Sequence, residues 1–171
     1  MASASDLKRA QRGEKNLRGA DLSGAGLRGS DLTGADFGGA NLRGADLSDS
    51  ILMGAIFNGA NLRGADLNNC DLTGANFEIA DLSGTDLSGS DLSDADLSGS
   101  TLNGAILCSA DLTGANLSDT DFNGADLDAV NLTRAELNGA ILIGANLSLA
   151  NLNTANLSGA TMPDGKEYEL E

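Results

Sequence analysis

The chain contains no histidine and no tryptophan, and its one tyrosine, Tyr168, lies close to the C-terminal end. Without an imidazole, no side chain here changes charge near neutral pH to activate the many serines, or Cys108, as nucleophiles. Carboxylates are abundant but recur at one spaced position, which produces rows rather than a convergent pair in a cleft. The composition therefore points away from an enzyme, names no catalytic residue and implies no cofactor. Aromatic residues make up 3% of the chain, too few for a conventional globular core. No apolar run approaches the roughly 18–20 residues of a membrane span. Residues 1–15 also lack the apolar stretch of a secretory signal, so a cytoplasmic protein with no membrane attachment is expected.

Positive charge is missing from a long internal stretch. Residues 66–128 carry 13 Asp and Glu and no Lys or Arg, whereas residues 1–65 carry eight basic against seven acidic side chains. The formal net charge is −15. Such a chain repels nucleic acid, so direct nucleic-acid binding is not expected.

What the sequence does contain is a five-residue repeat, unbroken from Leu17 to Met162. The unit reads Ala-Asp/Asn-Leu-x-Gly, as in Ala20-Asp21-Leu22-Ser23-Gly24 and Ala60-Asn61-Leu62-Arg63-Gly64. Between 17 and 157 the large apolar position, the centre, holds Leu 25 times and Phe at 37, 57, 77 and 122. Two residues earlier, from 20 to 155, stand only Ala, Ser, Thr, Cys or Val. So strict a period denotes a stacked repeat architecture.

Five residues fit neither common element. On an α-helix each repeat advances about 140° net, so the leucines would spiral round every side. In a flat strand an odd repeat flips faces at each unit. A short extended piece followed by a bend satisfies the pattern. The small residue and the centre point inward together, the Asp or Asn between them points out, and the last two residues turn the corner. Cys70 then falls inward and Cys108 outward, nearly two coils apart, and no disulfide is expected.

In its tandem ADLSG, ANLRG and ADLTG units the chain resembles the pentapeptide-repeat proteins over about 147 of its 171 residues. The resemblance implies an all-β fold, a right-handed quadrilateral β-helix with four pentapeptides per coil and about seven coils. Coils stacked at about 4.8 Å would make a rod about 35 Å long. Phe37, Phe57 and Phe77 are spaced by 20, so a four-sided coil stacks their rings.

The ends depart from the repeat. Arg12 and Lys15 occupy positions where a core Leu and Ala belong, so residues 1–15 form an N-terminal cap. Ser5-Asp6-Leu7-Lys8-Arg9-Ala10-Gln11 reads as a short helix with Ser5 as N-cap and Gly13 near its stop. The solenoid runs over 16–162, and 163–171 form a turn at Pro163-Asp164-Gly165 with an acidic tail. Pro163 lacks the N–H needed to continue a ladder.

Two surface anomalies are candidate sites. Ile51, Met53 and Ile56, with Ile79 one coil on, and a second group, Ile141, Ile143 and Leu149 near the C-terminal end, place apolar side chains where the repeat is polar. Ile106 does so singly. Clustered exposed apolar residues mark contacts, although neighbouring Ile could also simply pack on one another along the outer ladder. The acidic middle, with Asp66, Asp71, Asp81, Asp86, Asp91, Asp96, Asp111, Asp121 and Asp126, has a charge density comparable with that of duplex DNA. Some pentapeptide-repeat proteins mimic DNA and bind type II topoisomerases, so the resemblance gives that reading a second support. Stacked aspartates such as Asp66 and Asp86, or Asp71 and Asp91, also raise weak calcium binding as a third reading. The expectation is a non-enzymatic scaffold that contacts another protein, with no metal and no cofactor. A monomer is expected, with end-to-end dimerisation as the alternative. Arg43 and Arg63, one coil apart, form either a small basic strip or surface ion pairs.

Overall fold

The computed structural model describes residues 1–169. From Asn16 onward, isolated parallel bridges join each residue preceding a centre to its counterpart 20 positions later, as in Asn16↔Asp36, Asp36↔Ile56 and Ile56↔Asn76. Each bridge is closed by a pair of hydrogen bonds. The N–H of Leu72 donates to the Asp91 carbonyl at 2.7 Å, and the N–H of Asp91 donates to the Cys70 carbonyl at 3.0 Å. A turn follows every centre. The N–H of Ala20 donates to the Leu17 carbonyl at 3.1 Å, and the residue two after the centre takes a positive φ at every repeat from Gly19 to Gly159. That combination is a type II turn, which requires φ > 0 at its third residue. Four such turns separate bridged residues, so each coil has four sides.

The register fixes burial. All centres from Leu17 to Leu142 are at most 2% exposed, and the alanines two residues before them at most 3%. Phe37, Phe57 and Phe77 stack along the first side, with ring centroids 4.9 and 4.7 Å apart and planes within 3°. This is the spacing of successive coils, so the stack follows from the ladder without distortion. Most inward hydroxyls share one device, while Ser100 donates to the Leu97 carbonyl of its own turn at 2.6 Å. Ser50, Thr85 and Thr120 each donate to a turn carbonyl 23 residues earlier, those of Leu27, Leu62 and Leu97, at 3.1, 3.0 and 2.9 Å. Cys70 uses the same acceptor geometry, its Sγ lying 3.1 Å from the Leu47 carbonyl. Among the described residues no buried side-chain nitrogen or oxygen lacks a partner, so polar residues enter this core without the usual desolvation cost.

The N-terminal helix α1 spans Ala4–Gln11. Its N-cap is Ser3, not Ser5: the Ser3 hydroxyl accepts from the Asp6 N–H at 3.5 Å, and Ser5 lies within the first turn. Ser5 instead shares a hydroxyl–hydroxyl bond of 2.8 Å with Ser3. The helix segment is tied to the first coil by Ser3 N–H to the Asp21 carbonyl at 2.8 Å and by Asp21 N–H to Asp6 Oδ2 at 3.1 Å. The Arg9 guanidinium also donates to the Asn16 carbonyl. The Asn16 and Asp21 backbone groups at that edge of the sheet are thus occupied.

At the other end the chain reverses. Gly165 N–H donates to the Met162 carbonyl at 2.9 Å, Thr161 pairs antiparallel with Glu167, and Tyr168 N–H donates to the Ala160 carbonyl at 2.7 Å. Tyr168 and Met162 lie half-buried against the last leucines. This hairpin covers one side of the final coil, while Leu147 and Leu152 on two other sides remain half-exposed. Among the described residues no helix is long and apolar enough to cross a membrane.

Candidate interaction surfaces

The outward residue before each centre is held by the turn it precedes. In all nine candidate acidic residues, Oδ1 accepts the backbone N–H two positions on, from Asn68 N–H to Asp66 at 3.1 Å through to Asp128 N–H to Asp126 at 3.2 Å. The same bond is made by Asp71, Asp81, Asp86, Asp91, Asp96, Asp111 and Asp121 at 2.9–3.1 Å. This is an Asx turn, and an adjacent Ser or Thr hydroxyl often adds a second bond, as Thr73 Oγ1 does to Asp71 at 2.8 Å. Asn serves the same purpose and also bridges coils. Asn116, Asn131 and Asn146 donate from Nδ2 to Asp96, Asp111 and Asp126 at 3.1, 3.2 and 2.9 Å. Each of these aspartates therefore spends Oδ1 on the fold, and Asp81 also gives Oδ2 to Arg63 at 3.3 Å.

Hydrogen bonding also moves some of these carboxyls. Asp46 is held below the usual carboxylate range, first by the Ser48 hydroxyl. Asp126 is lowered first by its bond to the Cys108 thiol and then by the Asp128 N–H. Asp81 is lowered overall by the Ser83 hydroxyl and N–H and by Arg63, against the opposing effect of desolvation, the largest single influence on it. The Cys70 thiol is pushed up to about 11, chiefly by burial. Neither cysteine is in a disulfide.

The nine acidic candidates do not share one face. On the third side stand Asp66 and Asp86, with Asp126 beyond Ile106, and on the fourth Asp71, Asp91 and Asp111 stand side by side. Asp81 and Asp121 belong to the second side and Asp96 to the first, as their bridges at 20-residue spacing require. The densest acid lies around the corner between the third and fourth sides, where Asp46, Asp66 and Asp86 and then Asp71, Asp91 and Asp111 are direct ladder neighbours. Among the described residues no group of three or more His, Cys, Asp or Glu converges as metal ligands.

The apolar candidates are also distributed by the register. Ile51 and Met53, 45% and 43% exposed, lie on the fourth side, and Ile56, 38% exposed, begins the first, so these three surround one corner. Ile79 turns the opposite corner of the first side, one coil on, and is 69% exposed with φ +58°. Ile141 and Ile143 share the second side, whereas Leu149, 86% exposed, turns the corner after the third. Ladder stacking of isoleucines does not occur. Ile51 lies between Asp31 and Asp71, Ile56 between Asp36 and Asn76, Ile106 between Asp86 and Asp126, and Ile141 between Asp121 and Thr161.

The strip at Arg43 and Arg63 resolves into two unlike residues. Two arginines one after a centre reach the outward residue of the next coil, Arg18 meeting Asp36 at 3.2 Å and Arg63 meeting Asp81 at 3.3 Å, whereas Arg28 pairs with Asp49 at a corner. The corresponding position for Arg43 is Asn61, and Arg43 pairs with no carboxylate among the described residues. Sequence reading did not single out this missing partner, although the 18-residue offset is legible once the coil length is known.

Comparison with known proteins rests on this geometry. A family model for pentapeptide repeats, in eight copies, matches residues 16–49, 50–89, 90–128 and 131–164. Among solved structures the chain is similar to full-length QnrB1, a plasmid-mediated fluoroquinolone resistance protein, at 20% identity and a TM-score of 0.79, covering 88% of this chain and 81% of that one. It is also similar to HetL of Nostoc sp. strain PCC 7120, involved in heterocyst differentiation regulation, at 30% identity, covering 98% of this chain and 100% of that one, with a TM-score of 0.36. Rfr23 of the cyanobacterium Cyanothece 51142 aligns at 28% identity over 89% of this chain and 92% of its own, with a TM-score of 0.35. No curated protein matches the sequence significantly. The four-sided ladder, the Asx-turned outward row and the repeat match together place this chain in the pentapeptide-repeat family, whose fold is the right-handed β-helix solenoid.

Proposed function

We propose that the protein is a non-enzymatic scaffold, a rigid rod that presents separated contact points to another protein. The observation that carries this reading is the corner formed by Ile51, Met53 and Ile56. Three large apolar side chains are each more than a third exposed there, on a rod whose outward row is otherwise mostly Asp and Asn. Isolated apolar groups on a surface need no explanation, but three around one corner are a contact-sized feature. The repeat buries its central leucines from Leu17 to Leu142 to at most 2% exposure, which fills the interior and leaves it no cleft for a substrate. We take the rod to act in the cytoplasm as a monomer, since a net charge of −15 opposes association. Sedimentation equilibrium at low and high salt tests that state, and a salt-independent dimer would overturn it.

The scaffold reading is tested by capture of cellular proteins on the wild type and on an Ile51→Asp, Met53→Ser, Ile56→Asp variant. The expected result is a stoichiometric partner that the variant loses while keeping the wild-type unfolding curve. Equal capture by both would remove this corner from the function.

A second reading, DNA mimicry toward a type II topoisomerase, is favoured by the 13 carboxylates of residues 66–128. It is weakened by their spread over all four sides. Inhibition of gyrase supercoiling that disappears when Asp81, Asp86, Asp91 and Asp96 become Asn would establish it. The expected result is no inhibition at tens of micromolar. Weak calcium binding ranks third, because each stacked aspartate already commits one oxygen to its turn.

A further inference from the structure

We propose that the groove at Arg43 and Arg63 receives an acidic segment of a partner protein, with a carboxylate on the guanidiniums and the adjoining apolar side chain against helix α1. This deepens the scaffold reading and rests on it.

The two arginines occupy equivalent positions in successive coils, about 4.8 Å apart along the rod. Like charges at that distance repel, and the rod has carboxylates to spare, yet among the described residues only Arg63 of the two is paired. Its partner, Asp81 Oδ2, lies at 3.3 Å, and Asp81 Oδ1 is taken by the Ser83 N–H and hydroxyl. On the other flank Asp21 Oδ1 is taken by the Ser23 N–H, the Ser23 hydroxyl and Asn41 Nδ2. Asn61, which stands where Arg43 would find its acid, uses Oδ1 for the Arg63 N–H at 3.1 Å. The Arg43 guanidinium thus keeps its planar fork of donors, the geometry that binds a carboxylate bidentately.

The surroundings are concave. A groove of about 400 Å³ is lined by Arg43, Gly44, Arg63, Gly64 and Ser83. It shares Arg43 and Gly44 with a second cavity of about 630 Å³, lined by Leu7 of α1 and by Ser23, Ala25 and Gly26 among others. The corner residues here, Gly24, Gly44 and Gly64, leave bare backbone as the floor. Gly26 replaces the aspartate that its ladder successors Asp46, Asp66 and Asp86 carry, and a Cβ added there would meet nothing within 4 Å. The cavity next to the cationic strip is therefore apolar and unfilled.

This combination selects the ligand. A free phosphate would use the arginines and leave the apolar cavity empty. A peptide with a carboxylate followed by an aliphatic side chain uses both. On a rod that repels acidic partners along its middle, such a site also fixes where along the rod the partner lies.

The test is an NMR titration of the full chain with acetyl-Glu-Leu-Leu-amide, its Gln counterpart and inorganic phosphate, following the arginine Nε–H signals and the Leu7 methyls. The Glu peptide should shift Arg43, Arg63 and Leu7 saturably, and the Gln peptide should bind at least about tenfold more weakly. Arg43→Gln should lose about tenfold, and Asn61→Asp, which supplies the missing ion-pair partner, should lose as much without altering the unfolding curve. Equal binding of the Gln peptide, or full binding by Asn61→Asp, would overturn the proposal. Phosphate binding as tight as the Glu peptide would do so too, by making this a simple anion site. A rod that fails here yet still captures a partner through the Ile51 corner loses this site and keeps the scaffold reading.

Discussion

The sharpest consequence of the stacked architecture concerns Leu92, at the centre of the fourth side in mid-rod. It is fully buried, and its column neighbours Leu72 and Leu112 are held by ladder bonds of 2.7 and 2.8 Å. Leu92→Ala removes the equivalent of about three methylenes, or about 2.4 kcal/mol of transfer free energy. The cavity adds to this because coils tied by backbone bonds cannot collapse into it, so the loss should reach about 4 kcal/mol, the upper part of the observed range. Leu152, on the same side but half-exposed in the final coil, should lose about 1–2 kcal/mol with the same substitution. The ratio matters more than either value. In a rod held by nearest-neighbour interfaces, a central defect weakens contacts on both sides and an end defect on one. Urea unfolding followed by circular dichroism measures both losses, with the m-value reporting whether the transition stays cooperative. Leu92→Asp should go further and abolish cooperative folding, since a lone carboxylate cannot be paired in that core. Equal losses for Leu92→Ala and Leu152→Ala, or a wild-type melt for Leu92→Asp, would refute the register and the nearest-neighbour account together.

Other expectations follow from single positions. Ile79 is β-branched at φ +58°, a conformation that costs an L-residue about 1–2 kcal/mol, so Ile79→Gly should raise stability modestly in the same urea assay; a loss of stability would refute the strain. The Cys70 thiol is raised from 9.0 to about 11 by burial, so its contribution is complete below pH 9 and is lost as pH rises through 11. Wild type should therefore lose more stability across that window than Cys70→Ser, whose hydroxyl can donate to the Leu47 carbonyl as Ser50 and Ser90 do to theirs. Asp46 is depressed first by the Ser48 hydroxyl, so its contribution is present above the unfolded carboxyl pKa and disappears as pH falls through the lower folded value. Ser48→Ala should move the NMR titration of Asp46 upward, and an unchanged titration would show that the bond is not the cause.

The turn chemistry explains why some of this was readable in advance. Leu or Phe every five residues announces inward centres, because no helix or flat strand keeps that period on one face. The 20-residue spacing of Phe37, Phe57 and Phe77 announces four sides, since only stacked rings need that interval. In the sequence Ser3 and Ser5 offer the same hydroxyl, and the bond from the Ser3 N–H to the Asp21 carbonyl of the first coil accompanies the choice of Ser3 as N-cap. The outward aspartates are legible in the sequence as an acidic outer row. Their Asx bonds to the N–H two residues on emerge only when the turn brings that N–H round to Oδ1.

The sequence by itself determined the repeat, the inward and outward phases, the uneven charge and the absence of an imidazole, all of which are properties of residue identity and spacing. Tertiary structure decided which outward residues become neighbours. Contacts between coils join residues 18 to 23 positions apart, so an apolar or charged side chain acquires its surroundings from the coils above and below rather than from the chain beside it. That is why Ile51 stands between Asp31 and Asp71 rather than against another isoleucine, and why Asn61, unremarkable in the repeat, leaves Arg43 without a carboxylate among the described residues.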